Sequence, residues 1–376
     1  MTLSRRHFTR AVAGAAAMAA LPTVRAQGER LVLCQSAPFT GPAAQLGIQF
    51  HAGARLYFDQ VNARGLLTRP IELVKMDDGY EPDRCAENTR QLLAQDPLAL
   101  FAYVGTPTSL AALPLATAAK TPFIAPYTGA MGLRQPFNRL AFHIRASYND
   151  ETALIVKQLA NLGLTKIAVF YQNDAYGKAG LDGVQLALAS MNNKPVALAT
   201  VERNSVDVGG AVKTLTAAGP DAIVQIGAYK ACAAFIRQAK ATGFGGTFFN
   251  VSFVGTQALS DELGKQAAGV VVSQVVPSPY SGAKPIAREF NEAVKRSGTD
   301  IQANFSSMEG YIAAKVVTEG LRRAGARPTR ETLATALENL GSADMGGFGI
   351  ELSPNNHAAS RFAELSMLTA DGRVRT

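Results

Sequence analysis

The sequence predicts an α/β protein made of two doubly wound units in tandem, and three observations carry that prediction. Short unbroken apolar runs alternate with segments of helical spacing, which is the pattern of parallel strands buried on both faces. The alternation restarts after residue 140. The two halves also echo each other: Asp96-Pro97, apolar strand, Gly105, helix in the first, and Pro220-Asp221, apolar strand, Gly227, helix in the second. At 376 residues, with 47% hydrophobic and 18% charged residues, the chain is long enough for two domains and too apolar to be disordered.

In the first unit the strands are expected at Arg30–Ser36, Ile71–Met76, Leu98–Val104, Phe123–Ala125 and Leu140–Arg145. Helices are expected at Pro42–Arg64, Pro82–Gln95 and Pro107–Ala119. The second unit runs helix Asp150–Leu162, strand Lys166–Tyr171, helix Ala175–Met191, strand Val196–Val201 and helix Val208–Ala218. Strand Ala222–Ile226, helix Tyr229–Thr242 and strand Thr247–Phe249 complete it. From Gly269 the order changes to an apolar run Val270–Val276, helices Ala283–Ser297, Ser306–Ala324 and Thr329–Asn339, and a β-rich tail. These late helices need a surface to pack on and the first unit has an open flank, so the chain is expected to cross back and leave the first lobe discontinuous.

The N-terminus sets out a charged stretch (Arg5, Arg6, Arg10), an apolar run Ala11–Leu21 and a small-residue segment ending at Ala26. That order is the layout of an export signal. The run is about half of the roughly 20 residues a membrane-spanning helix needs. Arg5-Arg6 with Phe8 and an Ala-rich core resembles a twin-arginine signal, with a general secretory signal as the alternative. Either reading places the mature chain, cut near Ala26, in the periplasm or outside the cell. Four arginines of the +8 net charge fall in this leader, which has no acidic residue, so the body carries an ordinary +4 and does not point to nucleic acid.

Cys34, Cys85 and Cys232 are too few for a disulfide framework and sit among apolar neighbours, so buried free thiols are expected. Leu33 and Glu29-Arg30 speak against a lipid anchor on Cys34. His51, His143 and His357 have no metal spacing, and no phosphate loop, dinucleotide fingerprint or nucleophile elbow occurs. No catalytic residue, metal or cofactor is expected. Adjacent Asp77-Asp78 would point to opposite faces of a strand and read as turn residues.

The informative residues follow the C-terminal ends of the strands, where open α/β sheets bind ligands. Gly105-Thr106-Pro107-Thr108-Ser109 leaves an apolar strand and opens a helix, with Thr106 as the expected N-cap. Its free amides and hydroxyls suit a carboxylate. Tyr127-Thr128-Gly129 repeats the theme. In the second unit the strand ends carry Asp174 and Tyr176, then Tyr229, then Ser252 and Phe253. Hydroxyls facing aromatics across a cleft suit a small solute with an anionic head and an apolar body.

Together with the export signal, Gly41-Pro42-x-x-x-x-Gly47, Asn62-Ala63-Arg64-Gly65, Asp77-Asp78, Tyr176-Gly177, Arg237-Gln238-Ala239 and Gly310-Tyr311-x-Ala313-Ala314 resemble the leucine/isoleucine/valine-binding group of type I periplasmic binding proteins, the substrate-binding components of ABC importers. The resemblance covers nearly the whole mature chain. It implies two Rossmann-like lobes joined by crossovers near Arg145–Tyr148, Val275–Ser278 and Ile350–Asn355, closing on the ligand. Residues 27–146 with 278–352 would form one lobe and 147–277 with 353–376 the other. It places the ligand carboxylate at Thr106 and Thr128, and an aromatic wall at Tyr176 and Tyr229.

Two departures stand out. Ser252 takes the place of the acid that holds the ammonium in amino-acid binders, and Leu46 stands where an aromatic is frequent. Either Asp174, Glu309 or another acid replaces it, or the ligand lacks an amine. The family's small disulfide is absent, with Tyr80 and Gly105 in its places. A monomeric solute carrier that meets a membrane permease is the expectation, with a ligand-sensing receptor of the same fold or an exported α/β enzyme as rivals.

Overall fold

The computed structural model describes residues 30–376; the export signal and its cleavage site lie outside these residues. The chain forms two open sheets flanked by helices. In the first, β1 (Leu31–Ala37), β2 (Ile71–Asp77), β3 (Ala99–Phe101), β4 (Phe123–Ile124) and β5 (Ala141–Phe142) are all parallel, in the order β2-β1-β3-β4-β5. Alternation in β1 divides two cores. Leu33 belongs to the large core and Cys34 to a smaller one with Cys85, Leu100 and Phe123.

The expected strands at 98–104, 123–125 and 140–145 are shorter than predicted, the first two for a backbone reason. Ala102 and Ala125 take left-handed φ values of 61° and 55° immediately after β3 and β4. Since Phe101 pairs with Ile124, the two alanines fall at the same level, and neighbouring strands leave the sheet together. This turn delivers the following loops to the edge of the sheet.

Around this sheet lie α1 (Ala44–Arg64), α2 (Pro82–Leu93) and α3 (Thr106–Ala118). Helix α3 corrects one expectation: Gly105, at φ 98°, holds the N-cap position, so Thr106 is the first helical residue and its hydroxyl is free for another partner.

The second sheet is built from β6 (Ile167–Gln172), β7 (Ala197–Val201), β8 (Ala222–Ile226), β9 (Thr247–Asn250) and β10 (Val271–Gln274), all parallel. Antiparallel β13 (Glu364–Leu368) and β14 (Val374–Arg375) extend it, giving β14-β13-β10-β9-β8-β6-β7. Its helices are α4 (Tyr148–Asn161), α5 (Ala175–Ala189), α6 (Gly209–Ala217), α7 (Tyr229–Ala241) and α8 (Thr256–Leu263). A capping box of Ser147 and Asp150 starts α4, and Asp174 caps α5 by accepting from the amides of Tyr176 and Gly177.

The chain then returns. Helices α9 (Pro285–Ser297), α10 (Phe305–Ala324) and α11 (Arg330–Glu338) pack on the first sheet's side. Helix α10 crosses α1 so closely that a Cβ at Gly53 would lie 1.7 Å from the Ser307 carbonyl oxygen, and one at Gly310 2.0 Å from that of Phe50. Arg330 ties α11 to Asp96 at 2.7 Å and to the Pro97 carbonyl. A hairpin of β11 (Gly341–Asp344) and β12 (Gly349–Leu352) follows. Residues 143 and 357–359 then run side by side, His143 N–H donating to His357 O and Ala359 N–H to His143 O. Cys34, Cys85 and Cys232 are all buried and unbridged.

Candidate functional site

The C-terminal ends of the two sheets face each other, and the structure gathers most of the predicted residues there. Thr106 and Thr128 are joined, Oγ1 to Oγ1, at 2.6 Å, and Thr128 also accepts from Ala130 N–H. Ser109, one turn along α3, is fully buried and its hydroxyl has no partner. Thr108 differs: its hydroxyl donates back to Val104 O at 2.5 Å, which fastens the helix start rather than presenting a polar group to the cleft. Leu46 is buried against Gly255, bringing the start of α1 onto the loop before α8.

Aromatic rings fill the middle. Phe253, from the turn after β9, lies 4.5 Å from the Tyr176 ring, 5.5 Å from Tyr127 and 6.0 Å from Tyr80. Tyr148 packs on Tyr176 at 5.4 Å. Tyr127 directs its hydroxyl to Ser306 on α10 at 3.0 Å, and Tyr176 donates to Gly227 O at 3.4 Å. Tyr229 sits nearer the rim, its hydroxyl accepting from Gln45 N–H at 3.5 Å.

Charge in the cleft centres on a residue that the sequence placed at a strand end and in a crossover, not in the site. Arg145 is 1% exposed and its guanidinium lies 4.8 Å above the Tyr127 ring. Its Nη2 donates to the Ser252 hydroxyl and is 3.6 Å from Glu151, while Nε is 3.5 Å from Glu309. Glu151 in turn accepts from Ser252 N–H at 2.8 Å and from the Ser273 hydroxyl at 2.5 Å. Burial pulls the Arg145 pKa down, but the Glu309 and Glu151 carboxylates outweigh it and leave the guanidinium firmly charged. Burial, reinforced by Glu151 and opposed by Arg145, raises Glu309 to about 7. A lone arginine closing the expected strand 140–145 was the signal available in the sequence.

Asp174 faces the rim. Besides capping α5, it accepts from Gln172 Nε2 at 2.6 Å and stands 3.5 Å from Arg203. Arg203 also reaches Glu81, across the cleft, at 2.9 Å, where Asn204 bonds Gly79 O and Glu81. These contacts join the two sides in a closed arrangement. Asp78 belongs to the layer beneath: it accepts from Ser36 and from Tyr80 N–H, and burial raises it to about 6.

Comparison with known proteins agrees with this geometry. A family model described as periplasmic binding protein matches residues 35–373. The chain is 23% identical over 362 residues to the Leu/Ile/Val-binding protein homolog 7 of Brucella suis, covering 90% of this chain and 89% of that one. The structure of a possible leucine/isoleucine/valine-binding protein from Rhodopirellula baltica superposes with a TM-score of 0.90 at 34% identity, over 94% of this chain and 97% of the other. A substrate-binding periplasmic protein from Ralstonia solanacearum gives 0.87 at 34% identity, over 92% and 99%. No helix among the described residues is long and apolar enough to cross a membrane. The chain thus belongs to the periplasmic binding protein family, in its two-lobed leucine/isoleucine/valine-binding type.

Proposed function

We propose that the protein is the exported substrate-binding component of an ABC importer, which captures a small carboxylate-bearing solute between its lobes, without chemistry, and passes it as a monomer to a membrane permease. The observation that carries this reading is the joined Thr106–Thr128 hydroxyl pair at the α3 N-terminus, facing the Tyr176–Phe253 wall from the opposite sheet. Helix-terminal amides and hydroxyls recognise the carboxylate. Tyr176, Tyr229 and Phe253 cover the apolar body. The proposed lobes are 27–146 with 278–352 and 147–277 with 353–376; the return of α9, α10 and α11 to the first sheet supports the division. Closure is hinge motion about the three crossovers, sealed by the Arg203–Glu81 contact.

Thermal unfolding against a panel of small carboxylates tests the reading. A solute at about a hundred times its Kd stabilises by about 2.7 kcal/mol, which raises Tm by several degrees. A panel of amino acids, oxo acids and aromatic acids that leaves Tm unmoved overturns it. Export is tested separately: the mature N-terminus read by mass spectrometry is expected near Ala26, and lysines in place of Arg5 and Arg6 are expected to block export by the twin-arginine route.

A further inference from the structure

Four acids stand at or near the closed cleft among the described residues; Glu81 is taken by Arg203 and Asn204 at the rim. Asp174 is occupied by two helix amides, Gln172 and Arg203. Glu151 spends Oε2 on Ser252 N–H and the Ser273 hydroxyl, and its Oε1, without a hydrogen bond, faces Arg145 at 3.6 Å. Glu309 remains, with no hydrogen bond and with Arg145 as its cationic neighbour at 3.5 Å. A solute ammonium would therefore have to share Glu309 with a guanidinium already in place.

The groups left over include two guanidinium nitrogens of Arg145 that can only donate. Arg145 Nη1 is fully buried and has no acceptor. The buried Ser109 hydroxyl is also unpartnered, and that of Tyr148 lies beside Thr128 without a well-formed hydrogen bond. Buried donors without acceptors are costly, and they are satisfied together by an acceptor-rich anion. A guanidinium fork matches a carboxylate in shape as well as charge.

We propose that Arg145 is the anion receptor of the cleft and that the solute is a carboxylic acid without an amino group. The proposal rests on the reading that the cleft binds a small carboxylate, and it names which half of that class. In this arrangement Arg145 supplies the positive charge that the solute does not bring. Ser252 serves to hold the guanidinium in place, which is why no acid is needed at that position. Glu309, faced by Arg145, Glu151 and Tyr127, is a like charge beside the bound anion and opposes it when ionised.

The test pairs acids that differ only in the amine, each 2-oxo acid against its amino acid, with 4-methyl-2-oxopentanoate against leucine and phenylpyruvate against phenylalanine as probes, by calorimetry at pH 8. The oxo acid of a pair is expected to bind about tenfold tighter or more. Glu309→Gln removes the opposing charge and is expected to tighten the oxo acid several-fold. Arg145→Lys, accepted only if its circular dichroism matches the parent, is expected to weaken it about tenfold through loss of the fork. Tighter binding of the amino acids, with Glu309→Gln costing affinity, overturns the proposal and makes Glu309 the ammonium partner while the carboxylate reading survives. If neither member of any pair binds, that reading falls and this proposal with it.

Discussion

The two sheets solve the same problem differently. In the second, β6, β8 and β9 run four to six residues and end without left-handed residues, and aromatic side chains at the loops reach the cleft. In the first, β3 and β4 stop after three and two residues, and Ala102 and Ala125 turn the chain out at one level. The first sheet presents the Thr106–Thr128 hydroxyls and backbone amides, the second presents rings. Polar recognition demands exact backbone placement, so strain collects on the side that supplies it, whereas rings tolerate looser placement. A second contrast follows from assembly: the first sheet is finished by helices that follow all the parallel strands of the second, the second mostly by its own.

The largest test of this contrast is steric. Gly310→Val drives a side chain into the Phe50 carbonyl across the α1–α10 crossing, and about 3 kcal/mol or more of stability is expected to be lost in denaturant titration. Gly180→Ala in the second lobe has the Ile226 side chain, not backbone, as its nearest neighbour and is expected to cost about half as much. Equal losses would remove the distinction.

The next test uses pH. Asp78 has its pKa raised by burial from 3.8 to about 6 in the folded state, so its contribution is complete below about pH 4 and is lost as pH rises through 6. Glu309, raised from 4.5 to about 7, acts in the same direction. Asp78→Asn is expected to flatten the decline between pH 4 and 7 and to be more stable than the parent above pH 7, by about 1–3 kcal/mol. An unchanged slope would place the titration elsewhere.

Smaller effects are expected at the rim and at the strained turns. Arg203→Ala breaks a half-exposed contact between the lobes, and its expected cost is a few-fold in affinity, about 0.5–1 kcal/mol, with a larger radius of gyration in solution scattering. Ala102→Gly relieves a left-handed alanine at the expense of chain entropy and is expected to gain about 0.5 kcal/mol. The same change at Ala228, whose φ is −76°, is expected to lose a similar amount.

Alternation of apolar runs with helical segments was enough to read the α/β class and the element order as far as β9, because buried parallel strands write themselves as continuous Val, Ile, Leu and Phe, but it did not show α8. The early ends of β3 and β4 were not legible, since alanine carries no mark of a positive φ. Thr106, Thr128, Tyr176 and Phe253 were legible as strand-end residues. Arg145 was not, because its partners Glu151, Ser252 and Glu309 come from three separate stretches that only the fold brings together. That Thr108 donates its hydroxyl proton to its own preceding turn was not legible in the sequence.

The crossing of α1 and α10 also bears on how the chain is made. During vectorial synthesis the apolar flank of α1 emerges from the ribosome long before Ser307 and Gly310 exist to cover it. The second lobe can condense while the first waits, exposed, for its last helices. The first lobe then stays open until residues 285–338 have been made, and of the second only the edge strands β13 and β14 come later.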